Sequence, residues 1–499
     1  MTRHRRALWA ILGSSLILKL VLAVVANGNA AVLDEVAYLG IAKTIVAEGR
    51  YETTFRPPLY PGFIAAFLAL GLGTLGVRVA QALLGTVSAW LAWRIGRRTV
   101  GERAGVVAAA IVAFDPVLVA FSHRLWSETL FIALLLAAID LLTADPRGRR
   151  LWRWGAAGVL LGLASLARPM LATFIPFILP WALLQAVRGE WRSTEDGGAY
   201  GPPPGGARAP LLLAGVGRFA LLGALCAAMI LPWTFRNARA TGAFILIDSN
   251  GPYNILVGAQ PEARFVVKDD MWSARFGRVG GESYTDLVDV DAARAQQLAM
   301  RDATRLIAEE PAAFVGKSLW EAGHLWTLDS FLLRHLRNGW YGPGVPRWAV
   351  ALITLVSVAF FVGLVIAGAI GFATGGASPF RGLALLLIAH SLLLFSLTYA
   401  LSRYRLPLHP LLAIPAAAVL LDVRGRLAML RRGALPARRR LALAGTLALL
   451  ALAWVRDLPM MWDMVAHGGA GHRYRFERLS TPDRDRAAKP AGRAGEVGP

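Results

Sequence analysis

Apolar runs of about 18 to 22 residues recur along most of this 499-residue chain, and each is long enough to cross roughly 30 Å of hydrocarbon as a helix. Inside a bilayer every backbone N–H and C=O must be paired within the protein, so only helices and closed barrels cross it. The period-two alternation of a barrel is absent. The fold class is therefore an all-α polytopic membrane protein. About eleven spans are expected, at 7–27, 76–96, 104–121, 126–143, 153–167, 170–187, 211–232, 347–372, 382–400, 406–421 and 440–455. Charged residues make up only 17% of the chain, against roughly 25% in soluble domains. The first run reads as a retained span, because no small-residue cleavage site leads from it into a soluble domain.

Residues 58–75 form an apolar run punctuated by glycine and proline. If it does not cross, the short loops on the N-terminal side carry 22 Arg and Lys, and the opposite short loops carry 7. If it crosses, every later loop changes sides and the bias disappears. The positive-inside rule then makes 58–75 an interfacial or re-entrant helix and places the N-terminus in the cytoplasm of a multi-pass inner-membrane protein. The same rule accounts for the net charge of +21 without nucleic acid. The single cysteine, Cys226, allows neither an intrachain disulfide nor a cysteine-based metal site.

The chain divides into an N-terminal transmembrane module (1–232), an extracytoplasmic segment (233–346), C-terminal transmembrane helices (347–455) and a tail (456–499) whose end is disordered. The segment 233–346 mixes strand-like residues at Ala243 to Ile247, a turn at Ser249 to Pro252 and an amphipathic helix near Asp291 to Glu310. Residues 193–210 read as a flexible linker.

Unusual charge collects on one face. Asp34 and Glu35 lie just past the first span, and Arg56-Pro57-Pro58 follows about twenty residues later. Neighbours on a helix point about 100° apart, so the two acids have different jobs. One can face a cavity while the other caps a helix or pairs with a base, and the bland reading makes both of them first-turn acids. Glu128, in Ser122-His123-Arg124-Leu125-Trp126-Ser127-Glu128, invites the same two readings, and His123 alone reads most simply as an interfacial hydrogen-bonder. Arg56, Arg168, Arg236, Arg403 and Arg405 each sit beside a proline or aromatic at the edge of a span. Arginines snorkel to headgroups, but their two-pronged donors also suit a phosphate at low dielectric. No P-loop, dinucleotide-binding unit, His-Glu-x-x-His or serine-hydrolase elbow is present. No cofactor is expected, and a divalent metal is left open.

Leu33-Asp34-Glu35-Val36 with Arg56-Pro57-Pro58-Leu59 resembles the first luminal loop of protein O-mannosyltransferases and of the 4-amino-arabinose lipid A transferases. Asp115-Pro116 with Ser127-Glu128, Leu166-Ala167-Arg168-Pro169, Pro232 to Asn237, Asn250 to Asn254 and Arg403 to Pro407 extend the likeness. Together they resemble bacterial dolichyl-phosphate-mannose-protein-mannosyltransferase-like members of the GT-C membrane glycosyltransferases. The resemblance implies a polyprenyl-monophosphate sugar donor, an extracytoplasmic acceptor (lipid, glycan or protein) and inverting transfer. It implies Asp34 as general base, Glu35 and Glu128 as orienting carboxylates, and the five arginines on the phosphate. Tyr60, His123, Asn237 and Tyr404 are the candidate substrate contacts. Arg56 stands where the mannosyltransferases carry histidine, a departure that counts against protein mannosylation in particular and leaves the wider class intact. The rival readings are a lipid-linked saccharide flippase or transporter and a polysaccharide polymerase. A transporter should show inverted repeats and helices interrupted at the midplane, and the sequence leads us to expect neither.

Overall fold

The computed structural model describes residues 3–188, 191–192, 199–200, 208–260, 278–341 and 345–468. Helix α1 (Arg3–Val25) is the first span. The loop after it holds α2 (Asp34–Glu48) and α3 (Leu59–Ala69), which pack on each other. With 11 residues, α3 is about 16 Å long, half of what a crossing needs. The run 58–75 therefore does not span. Helix α4 (Gly73–Thr99) is the next long helix.

α5 (Glu102–Phe114) and α6 (Pro116–His123) meet at a 53° bend. Proline drives the residue before it out of the helical region, and Asp115 has ψ 117°. The Asp115 carboxylate then accepts from the N–H groups of Val117 and Leu118, capping α6. α7 (Glu128–Ala144) and α8 (Leu151–Ala167) follow. A 3-10 stretch at Pro169–Phe177 leads into α9 (Ile178–Val187), and β1 (Trp191–Arg192) pairs antiparallel with β2 (Ala199–Tyr200).

α10 (Arg208–Thr241) carries the chain onward. Beyond it lie α11 (Asn250–Ala259), β3 (Arg278–Val279) paired with β4 (Glu282–Ser283), α12 (Tyr284–Val290), α13 (Ala292–Glu309), α14 (Pro311–His324) and α15 (Phe331–Arg337). The last helices are α16 (Arg347–Thr374), α17 (Pro379–Leu397), α18 (His409–Leu421) after a 3-10 stretch at Ser402–Leu408, α19 (Val423–Arg431) and α20 (Ala437–His467).

By length and composition eight of these stretches can cross a membrane, or nine with the bent pair. The expected eleven also included α7 and α8. At 17 residues each they reach about 25 Å, the short end of the range for a span. Almost all of α7 is buried, so its apolar sequence also serves packing against protein. The chain is a polytopic helical membrane protein, and its core gathers around α5, α7 and α18.

Other expectations need correcting. The module boundary at 232 falls inside α10, which continues through Pro232 to Thr241. Ala243 to Ile247 is no strand. Its carbonyls are taken by side chains of the α10 extension: Thr234 Oγ1 donates to Leu246 O at 2.6 Å, Trp233 Nε1 to Ile247 O at 2.9 Å and Asn237 Nδ2 to Ile245 O and Ile247 O at 3.1 Å. With those acceptors occupied the segment does not form a ladder. The segment beyond it is mainly helical, with one two-residue hairpin among the described residues. α20 runs past 455 to His467. The bend at Asp115 and the two 3-10 stretches interrupt apolar helices, so the absence of such breaks no longer separates an enzyme from a transporter. The expected linker at 193–210 and disordered end lie largely outside the described residues.

Candidate functional site

At one end of the bundle, where α7 begins and α8 and α17 stop, lies a cavity of about 360 Å³. Arg56 comes to it from the first loop, Arg168 from the end of α8, and Arg403 with Tyr404 from the turn before α18. Met170, Ile255, Leu394 and Phe395 supply an apolar flank. The cavity is thus charged on one side and greasy on another.

Asp34, the first residue of α2, sits against this arginine cluster. Its Oδ1 accepts from Arg56 Nη2 at 2.8 Å, and its Oδ2 from Arg403 Nη1 at 2.5 Å. Burial by itself would raise the pKa of the carboxyl. The guanidiniums of Arg56 and Arg403, with Arg168 farther off, outweigh burial and hold it well below the usual carboxylate range. Aromatic faces fix the arginines in turn. Arg403 lies 4.6 Å from the Trp126 ring centre, Arg56 lies 5.6 Å from that of Tyr38, and Arg168 lies 5.5 Å from that of Tyr404.

Glu35 points elsewhere. Its Oε1 accepts from Leu125 N–H at 2.8 Å and its Oε2 from Val32 N–H at 3.0 Å, with Arg124 Nε 3.6 Å away. Leu33, between them, has φ 53°, the one positive φ outside glycine among the described residues. Such a backbone costs of order 1–3 kcal/mol and persists only where its surroundings hold it. Glu35 holds this turn, and the turn aims Asp34. Glu128 opens α7 and pairs with Arg168 Nη1 at 2.5 Å while itself buried. The two acids orient an arginine and a backbone rather than line the cavity.

The remaining residues separate cleanly. Arg405 is buried, donates to the carbonyls of Leu325 at 3.0 Å and Thr327 at 2.5 Å, and packs 3.8 Å from the Phe361 ring centre. It supports the loop after α14 and does not reach the cavity. Arg236 donates to Tyr51 O and to Asn237 Oδ1. Asn237 itself binds the 245–247 carbonyls, so this pair ties the α10 extension to the loops instead of meeting substrate. Tyr60 is fully buried and donates to Gln81 Oε1 at 2.5 Å. His123 is buried beside Tyr341. Of the four candidate substrate contacts only Tyr404 faces the cavity.

Asp248 and Asn250 also line the cavity, and neither is among the expected site residues. Burial pushes the Asp248 carboxyl up to about 7, despite the Asn250 N–H and Arg56. The signal was an acid closing the apolar stretch Ile245-Leu246-Ile247, just before a Gly-Pro turn, and it read as a strand end. Among the described residues no three His, Cys, Asp or Glu side chains converge as metal ligands would. The arrangement can hold an anion on its arginines, take a proton on a carboxylate and seat an apolar chain alongside.

Comparison with known proteins gives this geometry a setting. Residues 55–195 match the family described as dolichyl-phosphate-mannose-protein mannosyltransferase. YycA of Bacillus subtilis, a protein named as a mannosyltransferase, is 32% identical over 127 residues, which are 25% of this chain and 18% of that protein. The protein O-mannosyltransferase Pmt1–Pmt2 complex of Saccharomyces cerevisiae, bound to its sugar donor, aligns with TM-score 0.40 and 17% identity over 56% of this chain and 38% of that chain. ArnT of Cupriavidus metallidurans, bound to undecaprenyl phosphate, aligns with TM-score 0.39 and 14% identity over 85% and 79%. The oligosaccharyltransferase of Archaeoglobus fulgidus aligns with TM-score 0.48 and 13% identity over 96% and 59%. The chain thus spans about a fifth of the B. subtilis relative and under two-fifths of the yeast chain.

Proposed function

We propose that this protein is a membrane glycosyltransferase that moves a sugar from a polyprenyl monophosphate to an acceptor outside the cytoplasm. The observation that carries the reading is the clamp of Arg56 and Arg403 on Asp34, its arginines and Arg168 lining a cavity that also has an apolar flank. A lipid-phosphate sugar has the matching parts: an anion for the arginines and a prenyl chain for the apolar side. The family match over 55–195 supports the same class. The charge bias of the loops supports an outward-facing site in an inner membrane.

The clamp also supports a mechanism. Without substrate, Asp34 is the counter-ion of two arginines and a weak base. An arriving phosphate competes for the same guanidiniums. As Arg56 and Arg403 turn to it, Asp34 loses its stabilising charges and its proton affinity rises. The acceptor oxygen then attacks the anomeric carbon from the face opposite the phosphate while Asp34 takes its proton. The carbon–oxygen bond to phosphate breaks, its electron pair leaves on the lipid phosphate, and configuration inverts. The arginines stabilise the growing charge on that leaving group. Donor binding thereby arms the base.

The test is purified protein with radiolabelled polyprenyl-phosphate sugars and a membrane extract. Label should pass from lipid to an extract component, and Asp34→Asn should stop it. Vectorial movement of intact labelled lipid across vesicles, with no transfer, would instead establish the flippase reading.

A further inference from the structure

The cavity has a second polar wall, and its chemistry is opposite to that of the arginines. Asp248 and Asn250 line it together with Arg56, Arg168 and Arg403. Among the described residues the one hydrogen bond on the Asp248 carboxylate is a long 3.4 Å contact from Asn250 N–H. The side-chain oxygen of Asn250 is buried and has no partner among the described residues. Next to them, Asn254 Oδ1 already accepts from Tyr399 Oη–H at 3.0 Å. Among the carboxyl and amide side chains that line the cavity, the open acceptors are therefore those of Asp248 and Asn250.

These acceptors are held firmly. Ile247 O, on one side of Asp248, accepts from Trp233 and Asn237. On the other side, Ser249 N–H donates to Thr54 O at 2.9 Å and Ser249 O accepts from Tyr284 Oη–H at 2.6 Å. A carboxylate with one long hydrogen bond and an amide oxygen with none, both anchored by their neighbours' backbones, suit a ligand that brings donors. A phosphate brings none and is repelled by Asp248. A sugar ring brings several hydroxyls.

We infer that Asp248 and Asn250 form the subsite for the transferred sugar, each accepting hydrogen bonds from its hydroxyls while the arginines hold the phosphate. The inference rests on the lipid-phosphate reading above and adds a direction to it. The two walls orient the donor one way, with phosphate toward Arg403 and sugar toward Asp248. They also make the pair determinants of which sugar is accepted.

The experiment compares two probes on purified full-length protein: polyprenyl monophosphate, and the same lipid carrying a single hexose or pentose from a small panel. Wild type should bind at least one sugar-bearing lipid more tightly than the bare one. Asp248→Asn, which keeps shape and removes charge, should weaken that lipid about 10- to 100-fold, the range of lost charge-assisted bonds. Bare-lipid binding should stay within about twofold. Asn250→Ala should act in the same direction, and Arg403→Ala should weaken both lipids. Parallel losses for both probes, no loss for either, or a wild type indifferent to every sugar would overturn the subsite. An effect only on the acceptor's KM would do the same and move Asp248 to the acceptor. If wild-type protein bound neither lipid, the lipid-phosphate reading itself would fall, an outcome distinct from any of these.

Discussion

The two polar walls of the cavity differ in how they are satisfied. On the arginine wall every guanidinium meets a carboxylate: Asp34 is shared by Arg56 and Arg403, and Glu128 pairs with Arg168, two negative charges for three positive ones. On the Asp248 wall acceptors stand open. A paired wall is stable as it is, and a ligand must displace what is there. An open wall is a standing cost that a ligand relieves. The difference teaches that binding at one wall is an exchange of partners, whereas binding at the other is a gain of missing ones.

The most severe way to break this comparison is Asp34→Asn. Turnover should fall by about two orders of magnitude or more, since an amide cannot take the proton. Donor binding should hold or tighten, because the phosphate no longer has a rival for Arg56 and Arg403. A variant that binds donor far more weakly would show that Asp34 shapes the arginines instead of competing with the ligand.

The next contrast lies two residues apart. Arg403→Ala should reduce affinity for a lipid-phosphate donor about 10- to 100-fold, through the loss of a charge-assisted bond of about 1.5–3 kcal/mol, in a protein that still folds. Arg405→Ala leaves buried carbonyls without a donor and should cost about 2 kcal/mol or more of stability. Its readout is thermal unfolding in detergent. Donor affinity per folded molecule should be unchanged. Equal affinity losses in the two variants would put Arg405 back at the cavity.

Glu35→Gln should be milder. An amide can accept from only one of Val32 N–H and Leu125 N–H with its oxygen, so about 1–3 kcal/mol of stability is lost. Turnover should drop less than in Asp34→Asn. A loss of turnover as deep as that of Asp34→Asn, with unchanged thermal stability, would assign Glu35 to the chemistry.

The smallest effect is on stability alone. The folded pKa of Asp248, about 7, lies above the roughly 3.9 of an unfolded aspartate. The folded state therefore holds the proton more tightly, and the stability this contributes is full below about pH 4 and lost as pH rises through 7. Asp248→Asn should raise thermal stability by on the order of 1 kcal/mol at pH 8, with the gain fading toward pH 4. A gain that is flat with pH would mean the carboxyl is not the source.

Much of this architecture can be read from the chain, and the divide between what can and cannot is physical. Apolar runs report spans because hydrocarbon thickness is a fixed length. The same runs do not say how deeply a helix such as α7 is buried in the bundle, since a protein core and a lipid tail ask for the same side chains. Asp34, Arg56, Arg168 and Arg403 stand out as charges placed where charge is expensive. Arg236 and Arg405 stand out for the same reason, and no local pattern tells the groups apart. The direction of an arginine at a span end is set by the carbonyls it meets, and for Arg405 those lie about 80 residues away. Asp248 escaped because its neighbours imitate a strand, and the side chains that prevent one come from the α10 extension.

The clamp on Asp34 joins partners at very different distances along the chain. Arg56 lies 22 residues on and Arg403 lies 369 residues on. At about 5 to 20 residues per second, Arg403 emerges from a ribosome roughly 20 to 70 seconds after Asp34. During that interval Arg56 is the counter-ion available from the same loop. The half-built site is already neutralised when Asp34 reaches the membrane, and the second arginine completes it only after the spans between have been inserted. Assembly of the clamp therefore depends on the placement of every helix between Asp34 and Arg403.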